Sequence, residues 1–210
     1  MKFQIFAVLA LCFSHSCFAI SLTGTDHLDI VNDDHRFVRA YDESSLSLYS
    51  DADVAFLNAY DNSRVTLSPG SELSWYFGYD SSSVDAYGGD VSWMFFQDTA
   101  EGHVYGLEDL SWLRVSSTSD VNIYGNDFSY SRGHLSGSWL DGSLFSFWAL
   151  EDNAGPTNPK PIQITNTIPS GIRLHSAHAV PEVDASNASI AIAFLYFGMA
   201  FMNLKIRRRQ

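Results

Sequence analysis

Apolar and polar side chains alternate along this chain in short runs that recur at a fixed spacing. The clearest unit is a tetrapeptide of acidic, apolar, small and aromatic residues, whose copies begin 19, 18, 19 and 18 residues apart. The copies are DVAF at Asp53, ELSW at Glu72, DVSW at Asp90, DLSW at Asp109 and DFSY at Asp127. In weaker form the phase extends to seven aromatic residues: Phe37, Phe56, Trp75, Trp93, Trp112, Tyr130 and Phe147. Alternation rich in β-branched and aromatic residues predicts strands.

A second column of apolar positions keeps the same period half a repeat away. It consists of pairs that flank one variable residue: Leu28/Ile30, Leu46/Leu48, Val65/Leu67, Val84/Ala86, Gly102/Val104 and Val121/Ile123. Turn residues separate the two columns, as in YDNS, SPG, YGGD and YGND. Each repeat therefore contains short strands joined by turns, and whether a repeat has two strands or three stays open.

A repeat of this size cannot bury its apolar side chains alone, whereas stacked copies bury them in one continuous core. We therefore predict an all-β fold in which residues 20–150 form a parallel β-solenoid of about six or seven coils. No stretch of the body carries a sustained helical period. An antiparallel β-sandwich also has strands at similar spacing and is the alternative.

Strict alternation also predicts which aromatic residues lie inside. Leu73, Trp75 and Phe77 would share one face of their strand, so we expect the shared-phase aromatic residues to be core. An exposed ladder that stacks on sugar rings is the alternative for these residues. Aromatic and sulfur side chains outside that phase are the candidates for an outer contact surface: Tyr76, Met94, Phe96, Tyr87, Tyr105 and Tyr124.

Carboxylates form two columns with the same period. One contains Asp53, Glu72, Asp90, Asp109 and Asp127, and the other contains Asp42, Asp61, Asp80 and Asp98. We expect these side chains to cap turns by accepting hydrogen bonds from nearby backbone amides, with calcium binding as the alternative. No cofactor is predicted, because the body histidines lack metal-ligand spacing and no phosphate-binding glycine motif is present.

Charge and cysteine content limit the classes of function. The formal net charge is −12, and without the terminal segments seven basic and 22 acidic residues leave the body at −15. So acidic a surface argues against nucleic acid as a partner. Both cysteines, Cys12 and Cys17, lie in the predicted signal peptide, so the mature chain would have neither disulfides nor thiolate chemistry. No nucleophile or carboxylate-pair motif identifies an enzyme, and we predict that the protein is not one.

The ends of the chain have the features of an exported protein. Residues 1–19 combine Lys2, an apolar run and small residues before a cleavage position after Ala19, which predicts a secretory signal peptide. Residues 151–179 are proline-rich, and we expect a loop there followed by edge or capping strands at Ile162–Thr165 and Ile172–His175.

Residues 180–210 have three parts. A short motif comes first, formed by Val180, Pro181, Glu182, Val183 and Asp184. The uncharged run Ala188–Leu204 follows, about 25 Å long if helical and so long enough to reach across a thin bilayer core. The basic residues Lys205, Arg207, Arg208 and Arg209 end the chain and would keep this end in the cytoplasm.

This arrangement resembles the PEP-CTERM sorting signals that exosortases recognise in Gram-negative bacteria, and VPEVD is similar to the VPEID variety. The commoner signal has a second proline where this chain has Val183. The resemblance implies a transient stay in the inner membrane, processing near the motif by an exosortase-like enzyme, and delivery to the cell surface or extracellular matrix, often alongside exopolysaccharide. We therefore expect a structural, adhesive or polysaccharide-binding protein. The alternative is a secreted carbohydrate-active enzyme, either a polysaccharide lyase or a hydrolase.

Overall fold

The computed structural model describes residues 19–152 and 164–176, which form strands and turns without a helix. The predicted signal peptide, proline-rich loop, sorting motif, apolar run and basic end lie outside these residues, except that Ala19 begins the first strand. In chain order the strands are β1 (Ala19–Leu22), β2 (His27–Ile30), β3 (Asp34–Ala40), β4 (Ser45–Leu48), β5 (Asp53–Ala59), β6 (Arg64–Leu67), β7 (Glu72–Gly78), β8 (Ser83–Ala86), β9 (Asp90–Phe96), β10 (Glu101–Val104), β11 (Asp109–Val115), β12 (Asp120–Ser131), β13 (His134–Trp139), β14 (Leu144–Glu151) and β15 (Ile172–Ser176).

The strands form two parallel stacks. The long-strand sheet has the order β1-β3-β5-β7-β9-β11-β14, and the short-strand sheet has the order β2-β4-β6-β8-β10-β12-β15. Each coil contributes one strand to each stack, so the described chain is a parallel β-solenoid of about six turns with two strands per coil. Parallel pairing between successive repeats confirms the predicted solenoid and excludes the antiparallel sandwich.

Register in the short-strand sheet confirms the second apolar column. Leu46 pairs with Val65, which pairs with Val84, and the other member of each pair follows the same path. These side chains point inward, and Leu46, Leu48 and Leu67 are almost fully buried. Each short strand is regular, so its four side chains alternate and two of them point into the core.

The long strands depart from strict alternation, and the expected placement of their aromatic residues is wrong. The second, fifth and seventh residues of β5 and β7 are buried, whereas the third and fourth are both half-buried on the outside. Backbone pairing also skips the third residue, as it passes from Leu73 directly to Trp75. A bulge-like irregularity at the small residue thus changes the phase, so that Leu73 points inward while Trp75 points outward.

The same change places three of the expected outer residues in the core. Tyr76, Met94 and Phe96 are fully buried. Small residues make room for them: a Cβ on Gly78 would lie 2.9 Å from the Tyr76 hydroxyl, and one on Gly102 would lie 2.7 Å from the Phe96 ring. Burial raises the pKa of the Tyr76 hydroxyl well above its usual value. Large and small side chains therefore compensate across coils to fill the core.

The solenoid ends in two hairpins that the repeat does not predict. Strand β12 pairs with β10 and β15 through its first half and with antiparallel β13 through its second half, and β13 also pairs with β14. The first turn has Arg132 and Gly133 at φ 49° and 81°, the positive values that tight hairpins favour. Two features of the sequence are typical of hairpins here: alternating residues on both sides of Arg132-Gly133, and the dipeptide Asp141-Gly142.

These hairpins correct three positions in the predicted columns. Asp127 and Tyr130 belong to the hairpin, and Phe147 is buried, so none of them continues a column on the solenoid. Trp148 takes the place expected for Phe147, because it pairs with Trp112. The predicted strand at Ile172–His175 is confirmed as β15, whereas the described part of the predicted strand Ile162–Thr165, residues 164 and 165, has no strand.

Candidate functional site

The outer surface of the long-strand sheet carries a column of six aromatic side chains, one from each successive strand. They are Phe37, Phe56, Trp75, Trp93, Trp112 and Trp148. Ring centroids along the column are 5.0, 6.1, 4.8, 5.0 and 5.4 Å apart, with the planes within 20° of parallel. All six are partly exposed, and Phe37 retains 37% of its accessible surface.

Further rings widen this surface along each strand. Phe77 and Phe95 stack 4.9 Å apart beside the column, with Phe95 5.9 Å from both Trp75 and Trp93. Beyond them, three tyrosines stack at 4.9 Å where the strands enter their turns, and these are Tyr41, Tyr60 and Tyr79. Partial burial is the main reason why the pKa of Tyr60 and Tyr79 is raised. We call the column and these five neighbouring rings the aromatic face.

Ring spacing determines which part of each ring remains accessible. Parallel rings with centroids near 5 Å must overlap in offset stacks, because coplanar rings at that distance would collide. Each ring in the column therefore covers part of the next, and solvent reaches ring edges and uncovered strips of the ring faces. Aromatic edges carry partial positive charge and favour oxygen atoms of hydroxyl groups or carboxylates.

A row of carboxylates runs beside the column on the same strands. Backbone register places Asp34, Asp53, Glu72, Asp90 and Asp109 in line, and all five are exposed. Desolvation raises the pKa of Asp90, and repulsion from Asp109 and Glu108 adds to the shift. We call these five residues the strand carboxylate row. It confirms the predicted first column except for Asp127 and adds Asp34, which begins a weaker copy of the repeat.

The second predicted column has a structural role in the turns. Asp42, Asp61, Asp80 and Asp98 all adopt positive φ between 53° and 57°, a conformation that aspartate tolerates better than most residues. The carboxylate of Asp42 accepts a hydrogen bond from the amide of Gly24 at 2.8 Å, and that of Asp61 accepts one from the amide of Asp42 at 3.1 Å. Turn capping is thus confirmed for this column, but the amide belongs to the preceding coil because stacking brings the turns together.

A smaller ladder lies on the opposite side of the solenoid. Tyr87, Tyr105 and Tyr124 stack 4.9 and 4.5 Å apart, and His175 continues the stack 4.7 Å from Tyr124. Tyr87 is 54% exposed, so the expectation that these tyrosines lie outside is confirmed. We call this stack the tyrosine ladder. Around it the short strands carry mainly serine, threonine and charged side chains.

A shallow polar groove crosses the short strands and bears on the enzyme alternative. Its lining includes Glu43, Arg64 and Glu101. Register places Ser45, near Glu43, three strand spacings from Glu101, which is about 14 Å for parallel strands. Paired carboxylates of glycoside hydrolases lie about 5 to 9.5 Å apart, so Glu43 and Glu101 are too widely separated for this arrangement. A carboxylate oxygen of Glu101 also lies 3.0 Å from a ring nitrogen of His103.

Within residues 19–152 and 164–176, no group of three or more histidine, cysteine or acidic side chains is arranged to hold a metal ion. The same residues include no helix with the length and hydropathy needed to cross a bilayer. Both the candidate sorting motif and the basic end are outside this part of the chain.

The surface that sequence reasoning missed is therefore the aromatic face as an exterior feature. Its signal was the small residue before each aromatic residue, because this small residue occupies the irregular position of the strand.

In comparisons with known proteins, no family model, curated protein or solved structure matches the chain significantly.

Proposed function

We propose that this protein is an exported cell-surface or matrix protein that binds polysaccharide through its aromatic face and serves a structural or adhesive role. The observation that carries the proposal is the column from Phe37 to Trp148, in which large aromatic side chains stay partly exposed on a regular sheet. A continuous row of partly exposed rings favours a binding partner, because a ligand that covers these rings removes apolar surface from water.

A polysaccharide suits this surface better than nucleic acid or a small molecule. Its sugars offer apolar C–H groups and hydroxyl oxygens in alternation, and ring edges favour the latter. The acidic surroundings repel phosphate chains. A long, regular face also matches an extended polymer in shape, since each coil repeats the same contact after about 4.8 Å.

Tryptophan fluorescence offers a direct test of binding at this face. Four of the five tryptophans, Trp75, Trp93, Trp112 and Trp148, lie in the column. We expect a polysaccharide that binds to shift the emission of the full chain, and Trp75→Ala/Trp93→Ala to weaken affinity at least tenfold. Tyr87→Ala/Tyr105→Ala removes two stacked rings from the tyrosine ladder and is the matched control. Equal losses from both double variants would contradict binding at the aromatic face.

Export and processing form the second element of the proposal. The signal-like start and the three-part end support it by resemblance, with an exosortase-like enzyme as partner and the inner membrane as a transient location. Intact-mass measurement of the mature protein is the test. We expect a product that begins after Ala19 and lacks Arg207, Arg208 and Arg209, whereas a product that keeps these arginines would contradict the sorting proposal.

The polar groove supports a second candidate function, that of a carbohydrate-active enzyme, because it combines two carboxylates with Arg64. Their separation makes it the weaker candidate. Incubation of the full chain with a bound polysaccharide separates the two functions. We expect no new reducing ends and no unsaturated products, and their time-dependent release, abolished by Glu101→Gln, would favour the enzyme.

A further inference from the structure

The position between the strand carboxylate row and the aromatic column is occupied by small side chains. These are Ala55, Ser74, Ser92 and Ser111, each immediately before its aromatic residue. Larger side chains stand on both sides, so serine and alanine form the floor of a strip that runs along the solenoid axis. We call it the channel. One side is apolar and the other is anionic.

Register makes the channel uniform over several coils. In β5, β7, β9 and β11 the carboxylate lies three residues before the aromatic residue, and the irregular third residue keeps this distance at or below about 10 Å along the strand. Successive carboxylates follow the axis at the strand spacing of about 4.8 Å. A polymer lying along the channel would therefore meet one carboxylate, one small residue and one ring per coil.

Charge on this side of the molecule is one-sided in the central coils. The arginines on the long-strand sheet are Arg36 and Arg39 in β3 and Arg114 in β11. Arg114 is 3.1 Å from Asp152 and lies over the Phe95 ring, so its charge is engaged. Between them, β5, β7 and β9 contribute only the carboxylates of Asp53, Glu72 and Asp90. An occupant with positive charge relieves the repulsion within this row.

We propose that the channel binds a polysaccharide with free amino groups, such as a de-N-acetylated amino-sugar polymer, whose ammonium groups face the strand carboxylate row while its sugar rings cover the aromatic column. This inference rests on the proposed polysaccharide-binding function and names the chemical class of the glycan. Neutral glycans would leave the carboxylate repulsion in place, and anionic glycans would add to it. The serine hydroxyls of the floor supply hydrogen-bonding groups for sugar hydroxyls.

A pair of oligosaccharides that differ only in the amino group tests the proposal. Affinity of the full chain is measured for a glucosamine hexamer and for an N-acetylglucosamine hexamer with the same linkage, at a pH where the amines are protonated and the carboxylates ionised. We expect the glucosamine hexamer to bind at least tenfold more tightly. The difference should shrink as salt is raised, because exposed charges are screened.

Variants locate the effect in the channel. Glu72→Gln/Asp90→Asn should reduce affinity for the glucosamine hexamer about tenfold and leave the N-acetylated hexamer little changed. The control Glu43→Gln/Asp85→Asn removes the same formal charge outside the long strands and should change neither. Ser74→Leu/Ser92→Leu fills the channel without altering charge and should weaken both ligands, which keeps the test informative if a charge variant folds poorly.

The outcomes separate this inference from the proposed function. Equal affinity for both hexamers, or an equal loss in the control variant, would overturn the amino-sugar inference while polysaccharide binding stands. Preference for a galacturonate hexamer would do the same. Oligolysine serves as a probe for recognition of charge alone. If it binds as tightly as the glucosamine hexamer and depends equally on Glu72 and Asp90, the amino-sugar inference is overturned. If no oligosaccharide binds, the proposed function fails too.

Discussion

The two sheets of the solenoid are built from the same repeat and yet present different surfaces. In the central coils each long strand has seven residues and each short strand has four. A short strand exposes two side chains, mainly small or charged, whereas a long strand adds room for an acid, a small residue and aromatic rings. Lengthening one sheet thus gives the molecule a broad contact surface without changing the core that both sheets share.

The difference also concerns how aromatic stacking is used. Both sides have a ladder with rings near 4.8 Å apart, as in Trp75 with Trp93 and in Tyr87 with Tyr105. On the long-strand side neighbouring rings extend the stack sideways, so the column is part of a surface. Around the tyrosine ladder the lateral ring contact is His103 with Tyr105 and Tyr124 at 6.3 and 6.1 Å. We therefore expect one side to bind and the other mainly to stabilise.

The largest effect should come from the core that joins the two faces. Phe96 is fully buried and packs against Tyr76 and toward Gly102 of the opposite sheet. Phe96→Ala should reduce the free energy of unfolding by about 3 to 5 kcal/mol, since it leaves a cavity. Chemical denaturation of the full chain measures this. Phe77→Ala, which truncates an outward phenylalanine, is the control, and an equal loss there would contradict the assignment of inside and outside.

A single ring removed from each ladder sharpens the comparison of the faces. Trp93→Ala breaks stacking with Trp75, Trp112 and Phe95, and should cost about 1 to 3 kcal/mol of unfolding free energy. Tyr105→Ala also loses three ring partners, but the lost ring is smaller and one partner is a histidine 6.3 Å away, so it should cost less. Thermal and denaturant unfolding measure both. A larger loss for Tyr105→Ala would reverse the proposed roles of the two sides.

The turns that follow the long strands provide a smaller effect. Asp80 has φ 54° and accepts the amide hydrogen bond of Asp61 at 3.3 Å. Asp80→Ala removes the acceptor and puts a residue poorly suited to positive φ at this position, so we expect about 1 kcal/mol of destabilisation. Asp80→Asn keeps both an acceptor oxygen and tolerance of this conformation and should cost less. Identical losses would mean that the ladder of turn carboxylates does not stabilise the stack.

Acidic pH should relieve charge repulsion within the strand carboxylate row, with a small effect on stability. The pKa of Asp90 is raised by desolvation and by repulsion from Asp109 and Glu108, so the folded state holds this proton more tightly than the unfolded state. Ionised Asp90 therefore destabilises the fold at neutral pH, and this cost disappears as pH falls through its folded pKa. Asp90→Asn should raise the melting temperature at neutral pH, with the gain shrinking in acid. A gain that is constant with pH would contradict this account.

Calcium should have the smallest effect. The turn carboxylates already accept hydrogen bonds from backbone amides, as Asp42 does from Gly24 and Asp61 from Asp42, and the strand carboxylate row is exposed without a third ligand group nearby in the described residues. We expect the melting temperature to stay unchanged between chelator and millimolar calcium. A higher melting temperature in calcium would favour the calcium alternative. Comparing the double variants Asp61→Asn/Asp80→Asn and Glu72→Gln/Asp90→Asn would then show which row of carboxylates binds the ion.

Much of the architecture could be predicted because the repeat is local and regular. The spacing of DVAF, ELSW, DVSW and DLSW implies that equivalent residues stack, and pairing of Asp53 with Glu72 and of Glu72 with Asp90 follows that alignment. The turn aspartates could also be predicted, since few residues accept positive φ. For the candidate site, the sequence identified the aromatic residues and carboxylates but assigned the wrong side to the aromatic residues.

The errors have two physical sources. Alternation predicts which side chains share a face only while a strand is regular, and one irregular residue in each long strand turned Trp75 outward and Tyr76 inward. The terminal hairpins follow from turns at Arg132–Gly133 and near Gly142, and their pairing with β10, β11 and β15 joins residues distant in the chain. Local patterns carry little information about such long-range pairing.

By itself, then, the sequence determined the period, the all-β class, the stacked coils and the alignment of like residues, because each depends on side chains that recur at fixed intervals. Only the tertiary structure decided that the aromatic column faces outward beside a channel and that Trp148, not Phe147, completes it. The physical reason is that inside and outside are set by how two sheets close on a common core. Residues such as Gly78 and Gly102 leave space there for Tyr76 and Phe96, so the tryptophans of the column lie on the outer surface.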